Sequence, residues 1–182
     1  MKLKLVSIAI LFLLFSCKNE KKAETLAVDS TQQIEAKQEN ASLDLEVYDF
    51  AGFEKFLKKK DGKIHVINFW ATWCAPCVKE LPYFEKLYAD YKDRSVEVLL
   101  VSLDFPHLYD KKLKPFIKKH QLQSKVVALD DPDMNSWIPK ISEAWSGSIP
   151  ATLIYKNDTR EFYEQSFDYD ELKAKINPFL NH

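Results

Sequence analysis

The chain has 182 residues, 46% of them hydrophobic and 13% aromatic, with a formal net charge of -1. That length suits one globular domain of the usual ~100–150 residues plus extras, and the near-neutral balance argues against a nucleic-acid binder, which would carry a basic face. The three cysteines, Cys17, Cys74 and Cys77, are too few for a disulfide-stapled scaffold.

Met1-Lys2-Leu3-Lys4 is a short basic start, and Leu5 to Phe15 is almost wholly apolar. The run is shorter than the ~20 residues a spanning helix needs and matches the core of a secretory signal. Leu14-Phe15-Ser16-Cys17 resembles a bacterial lipobox, in which the signal is cut just before a cysteine that carries lipid. Residues 1–16 are therefore expected to be a lipoprotein signal peptide, with lipid attached at Cys17. The alternative is an ordinary signal with an incidental cysteine. Residues 17–42 are polar and charged, without strong apolar periodicity, and read as a lipidated cysteine followed by a disordered tether. A short helix packed on the domain is the other reading. An exported chain meets no cytosolic reducing pool, so a redox pair there must be recharged by a dedicated partner.

The domain is expected over residues 43–182. Leu43 to Tyr48 alternates apolar and polar residues, the pattern of a half-buried strand. Phe53, Phe56 and Leu57 recur at helical spacing, and Asp61-Gly62 ends that helix. Lys63 to Phe69 is the next strand, and Cys77, Leu81, Phe84, Tyr88 and Tyr91 mark one face of a long helix. Val96 to Leu103 is a continuous apolar strand, as a sheet covered on both faces requires. Leu113, Phe116, Ile117 and His120 suggest another helix, and Val126 to Leu129 a short strand. Asn135 to Trp145 is helical in pattern despite Pro139. Ala151–Tyr155 and Phe162–Phe167 are read as strands around the turn Lys156-Asn157-Asp158-Thr159. Leu172, Ile176 and Leu180 close the chain on a helix. Early alternation implies parallel crossovers and the last two strands imply a hairpin, so the fold class is α/β, a mixed central sheet with helices on both faces.

Trp73-Cys74-Ala75-Pro76-Cys77 stands where a strand ends and a helix begins. Free amide N–H groups and the helix dipole stabilise a negative charge there, and in such motifs the thiol pKa falls from about 8.5 to between ~3.5 and ~7.5. Cys74 is thus the expected nucleophile. Pro76 suits the first helical turn, where its missing N–H costs nothing, and it stiffens the loop between the sulfurs. Cys77, one turn further in, is the expected resolving thiol. A structural disulfide or half of a zinc site is the alternative, but zinc needs about four ligands. No second cysteine pair exists, and His65, His107, His120 and His182 are not spaced like ligands. No metal is expected.

Asn68-Phe69-Trp70-Ala71-Thr72-Trp73-Cys74-Ala75-Pro76-Cys77 resembles the active-site signature of the thioredoxin superfamily, and in detail the membrane-tethered TlpA/ResA branch of thiol-disulfide oxidoreductases. Pro82 matches the proline that kinks the active-site helix in that family. Ser148-Ile149-Pro150-Ala151-Thr152 matches the loop that holds its cis-proline, although the family more often has threonine right after the proline. The resemblance implies a thioredoxin-like three-layer α/β/α fold and a cis bond before Pro150. It also implies a backbone at Ile149 that pairs with a substrate strand. Trp73, Ala75, Pro76, Ile149 and Pro150 are the implied substrate-binding residues. Thioredoxin carries a buried aspartate where this chain has Asn68. Glu80, three residues after Cys77 and so on the same helix face, matches an acid of the ResA-like branch. Burial would raise its pKa and let it accept the Cys77 proton. The alternative is a solvated surface glutamate.

The implied function is an envelope disulfide reductase that needs no cofactor beyond the redox-active Cys74–Cys77 pair. Client proteins with disulfides, apocytochrome c among them, are the implied substrates. A membrane donor of the DsbD/CcdA type would recharge the pair, and the chain would work as a lipid-anchored monomer facing the periplasm. Two alternatives on the same fold are a peroxiredoxin-type peroxidase and a copper-binding module. The first needs a Pro-x-x-x-Thr-x-x-Cys context, which the residues before Cys74 do not provide. The second uses a CxxxC pair, and the spacing here is CxxC.

Overall fold

The run Ile64–Trp70 is buried along its whole length, which requires a strand covered on both faces of its sheet. A computed structural model describes residues 43–180 and places this run near the middle of a six-stranded sheet. The expected signal peptide, Cys17 and the tether lie outside the described residues. In chain order the elements are β1 (Glu46–Tyr48), α1 (Phe50–Phe53, followed by a 3-10 turn over Glu54–Phe56), β2 (Ile64–Trp70), α2 (Ala75–Tyr91), β3 (Val96–Ser102), α3 (Lys114–His120), β4 (Lys125–Leu129), α4 (Met134–Ile141), β5 (Ala151–Lys156), β6 (Thr159–Tyr163) and α5 (Tyr169–Leu180). This is the alternation the sequence predicts, including the closing hairpin and helix.

The strand order is β1-β4-β3-β2-β5-β6. The first four run parallel, β5 is antiparallel to β2, and β6 is antiparallel to β5. Alternation along β2 sends Ile64, Val66 and Trp70 to one face and Ile67 and Phe69 to the other. The first face packs against Leu81, Phe84 and Leu87 of α2, Ile117 of α3, and Leu172, Ile176 and Phe179 of α5. The second packs against Phe50 and Phe53 of α1 and Trp137 and Ile141 of α4. Three layers, α/β/α, follow directly from these two clusters, as expected.

Several element boundaries differ from the sequence reading. The last strand is Thr159–Tyr163, not Phe162–Phe167. Asn157 takes a left-handed φ of 54°, which Asn tolerates better than most residues. The hairpin therefore closes over two residues, with Lys156 opposite Thr159. On α5 the third buried position is Phe179, while Leu180 is exposed, because Leu172, Ile176 and Phe179 keep the four-then-three spacing of one face. The same spacing buries Leu87 on α2 and leaves Tyr88 and Tyr91 half-buried. α4 continues through Pro139 but ends at Ile141, where Ser142 turns extended. Asp49 caps α1 by accepting from the Gly52 N–H at 2.8 Å, so the first helix starts at Phe50 and is short. Leu43 and Leu45 pack inward as predicted, but Val47 on the edge strand β1 is 44% exposed.

Candidate active site

The antiparallel register sets Phe69 opposite Ala151 and Asn68 opposite Thr152. The end of β2 therefore meets the start of β5, and the segments leaving one and entering the other are brought side by side. The first segment carries Cys74 and the second carries Ile149–Pro150, whose peptide bond is cis. Cys74 Sγ lies 3.7 Å from the Ile149 carbonyl oxygen. Thus two motifs 75 residues apart in the chain form one site.

Cys74 and Cys77 are joined by a disulfide, with Cα atoms 5.3 Å apart. Cys74 occupies the N-cap of α2, and its Sγ accepts the backbone N–H of Cys77 at 3.3 Å. The sulfur thus stands where a serine or aspartate oxygen usually caps a helix, at the positive end of the dipole. Cys74 retains 6% exposure and Cys77 none, the order expected for an attacking and a resolving sulfur. Ala75 and Pro76 form the exposed first turn.

The loop leading to Cys74 is braced by Asp104, which sequence reasoning did not single out. Asp104 is buried and accepts from the Thr72 N–H at 2.9 Å, the Thr72 hydroxyl, and the Ser102 hydroxyl at 2.8 Å. The facing loop has its own braces. Trp145 Nε1 donates to the Ser148 carbonyl at 2.8 Å, and Glu164 accepts from the Ser146 N–H at 2.9 Å and from its hydroxyl. Gly147 has φ 94°, and a Cβ there would sit 3.2 Å from Ile138 Cδ1. Only the glycine makes this turn without strain.

Glu80 is buried at 1% exposure, one turn after Cys77 on α2. Asn68 Nδ2 donates to its Oε1 at 2.9 Å, and the Phe167 backbone N–H donates to its Oε2 at 2.8 Å. Burial pushes the carboxyl up from 4.5 to about 7, against the lowering effect of these two hydrogen bonds. The surface-glutamate alternative is excluded by this burial. A cavity of about 300 Å³ lies over Glu80 and is lined by Pro76, Lys79, Tyr83 and Asp168, among others.

On the other side of the site is a larger, mostly apolar groove of about 540 Å³. Trp73, Phe105, Met134 and Ile149 contribute its apolar lining, and Asp130 and Asp131 its acidic side. Trp73, 55% exposed, stacks on the equally exposed Phe105 with ring centroids 6.4 Å apart. Trp70, by contrast, is fully buried core. Of the expected site residues, Trp73, Cys74, Ala75, Pro76, Cys77, Glu80, Ile149 and Pro150 gather here. Cys17 lies outside the described residues. Among the described residues, the one group of potential metal ligands is Asp61, His65 and Glu97. It sits at the opposite end of β2, and its Glu97 is already paired with Lys59 and Lys63.

The profile of the AhpC/TSA family matches residues 38–159, two thirds of the sequence. The chain belongs to the AhpC/TSA family. It is 33% identical over 123 residues to the thiol-disulfide oxidoreductase ResA of Oceanobacillus iheyensis, an alignment covering 66% of this chain and 59% of that one. With the ResA of Geobacillus kaustophilus it shares 42% identity over 116 residues, covering 63% and 61%. The chain thus spans about three fifths of the length of these two relatives. Among solved structures, a thioredoxin-related protein from Neisseria meningitidis serogroup B superposes with a TM-score of 0.58 at 20% identity, covering 67% of this chain and 88% of that one. A thioredoxin-family thiol:disulfide interchange protein from Chlorobium tepidum gives 0.56 at 18%, covering 70% and 84%. The fold is thioredoxin-like.

Proposed function

We propose that this family member is a thiol-disulfide oxidoreductase of the cell envelope that reduces disulfides in secreted client proteins. One observation carries the reading. The Cys74 sulfur is bonded to Cys77, caps the N-terminus of α2, and is set beside the Ile149 carbonyl at the apolar groove. The similarity to ResA chains supports it.

In the dithiol form the N-terminus of α2 favours the Cys74 thiolate. That thiolate attacks one sulfur of a client disulfide. The client S–S bond breaks, a Cys74–client disulfide forms, and the departing client sulfur takes a proton. Cys77 then gives its proton to Glu80 and attacks Cys74. The Cys74–Cys77 bond forms and the second client sulfur is released. Two electrons have passed to the client, which leaves as a dithiol. A membrane dithiol donor of the DsbD/CcdA type returns the electrons by the same exchange in reverse. No bound cofactor takes part.

The client segment pairs with the Ile149 backbone and lays apolar side chains against Trp73 and Phe105. Apocytochrome c is among the clients, which places the protein in cytochrome c maturation. Residues 1–16 direct export, Cys17 carries the lipid, and residues 17–42 act as a tether reaching about 30 Å from the membrane. The working unit is a monomer.

The decisive measurement is the reduction of insulin by the pre-reduced protein, with the potential of the pair read against glutathione. Stoichiometric reduction and a potential near the reducing end of the ~-270 to -120 mV range are expected. Rapid consumption of hydrogen peroxide with no insulin reduction would replace this reading with the peroxidase. Intact mass of membrane-extracted protein tests lipid at Cys17, and an unlipidated N-terminus elsewhere rejects the anchor.

A further inference from the structure

The hydrogen bonds drawn around Glu80 suit its carboxylate. Two oxygens meet two donors, Asn68 Nδ2 and the Phe167 N–H. They do not suit the carboxylic acid, whose hydroxyl must itself find an acceptor. Burial, however, favours the acid. An acceptor for the acid is therefore needed within this buried cluster.

Asn68 holds one in reserve. Its Oδ1 is buried and has no hydrogen-bond partner, a costly state for a polar atom. Its Nδ2 meanwhile serves two acceptors, Glu80 Oε1 at 2.9 Å and Thr152 Oγ1 at 3.1 Å. A half-turn about the Cβ–Cγ bond exchanges the two amide atoms, which have nearly the same size. Oδ1 then faces Glu80 and Thr152, and both can supply it with an O–H. Nδ2 becomes the unpaired atom in place of Oδ1. One unpaired polar atom replaces another, so the protonation of Glu80 decides which orientation is lower in energy.

We propose that Asn68 is a positioning residue whose side-chain amide turns over with the protonation of Glu80, donating to the carboxylate and accepting from the carboxylic acid. This rests on the redox reading above and deepens it. Glu80 receives the Cys77 proton in a site that satisfies both of its forms, and no backbone has to move. The Phe167 N–H stays on Oε2 throughout. Other ionisable groups face Glu80 from each element around it. α2 contributes Cys77, Lys79 and Tyr83, the segment before α5 contributes Asp168, and α5 contributes Glu171. Lys79 favours the carboxylate and the two acids oppose it. All three are exposed, so raised salt screens them and leaves the contribution of Asn68.

The test is an NMR titration of the isotope-labelled, oxidised full chain from pH 5 to 9 in 0.5 M salt. The side-chain amide resonances of Asn68 should titrate with the same midpoint as the Glu80 carboxyl carbon. The scalar coupling across the Asn68 Nδ2–H···Glu80 bond should be present at high pH and lost at low pH. An Asn68 amide that keeps this coupling across the Glu80 titration overturns the proposal. Asn68→Leu should raise the Glu80 midpoint by about one pH unit, a tenfold gain in proton affinity, because the bond to the charged form is the stronger one. An unchanged midpoint in a folded variant also overturns it; if the variant does not fold, the wild-type titration decides alone. Insulin reduction by the wild type is scored separately. Its failure sinks the redox reading without touching the amide coupling, and a static Asn68 in an active enzyme sinks only the turnover.

Discussion

The backbone N–H of Cys77 donates to Cys74 Sγ across 3.3 Å, so the sulfur proposed to attack clients is also the cap of the helix that carries its partner. Reduction leaves a thiolate at that cap, where the helix end stabilises it. The alkylation rate of Cys74 by iodoacetamide should therefore reach half its maximum well below pH 8.5, the ordinary thiol value, while Cys77 remains unmodified. Mass spectrometry after a short pulse across pH 4–10 reads both. Equal, slow labelling of the two thiols would remove Cys74 as the nucleophile.

Cys77→Ser should trap clients on Cys74, because the second exchange then has no resolving thiol. Reductant-sensitive adducts should appear on non-reducing gels of envelope extracts, and a Cys74→Ser control should show none. Catalytic turnover of insulin should fall at least a hundredfold, on the order of the losses seen when a covalent mechanism is broken.

Glu80 makes stability depend on pH in a definite direction. Its carboxyl titrates at about 7 in the folded chain against 4.5 ordinarily. Below about pH 4.5 both states hold the proton, and the stability is fully present. Between 4.5 and 7 only the folded state holds it, so stability falls as pH rises through this window. The loss reaches about 3 kcal/mol by pH 8. Glu80→Gln removes this term, and its urea midpoint relative to wild type should rise between pH 5 and pH 8. A constant difference would mean that Glu80 is not protonated on folding.

Asp104 gathers three donors at the loop before Cys74. Asp104→Ala strands the half-buried Thr72 N–H and the buried Ser102 hydroxyl, at a cost of about 2–4 kcal/mol. Thermal unfolding should detect this, and kcat/KM for insulin should drop because Trp73 and Cys74 lose their fixed backbone. Asp104→Asn, which keeps one acceptor oxygen, should fall between the two. If all three proteins melted alike, the brace would be unimportant.

Trp73→Ala should raise KM for protein disulfides by roughly tenfold, about 1.4 kcal/mol, a usual value for an exposed aromatic anchor. The rate with a small disulfide such as oxidised glutathione should hardly change, since it does not fill the groove beside Phe105 and Met134. Parallel losses on both substrates would instead point to damage at the sulfurs.

Much of this architecture was legible because it rests on local signals. The buried run before Cys74, the spacing of Leu81 and Phe84, and the turn at Asn157-Asp158 each carry a period or a turn preference that the sequence displays. What escaped depends on pairings between distant segments. Asp104 reads as an ordinary loop acid until the register of β2 and β3 sets Trp70 opposite Ser102 and brings Asp104 under Thr72. Thr152 and Trp145 likewise show their roles only when β5 lies against β2. Phe167 reads as a strand residue. Its amide instead serves Glu80, and its side chain fills the core between α2 and α5. The burial of Glu80 follows only from the family resemblance, since no periodicity distinguishes it from the exposed Lys79 beside it.

The bond from Phe167 to Glu80 joins residues 87 positions apart. Because translation proceeds from the N-terminus, both sulfurs leave the ribosome long before that amide exists. A nascent fragment ending ahead of Phe167 carries the full CxxC motif yet lacks half of the cradle for its acid. In such a fragment Glu80 keeps at most its bond from Asn68, and its surroundings are completed only when the segment carrying Phe167 docks ahead of α5.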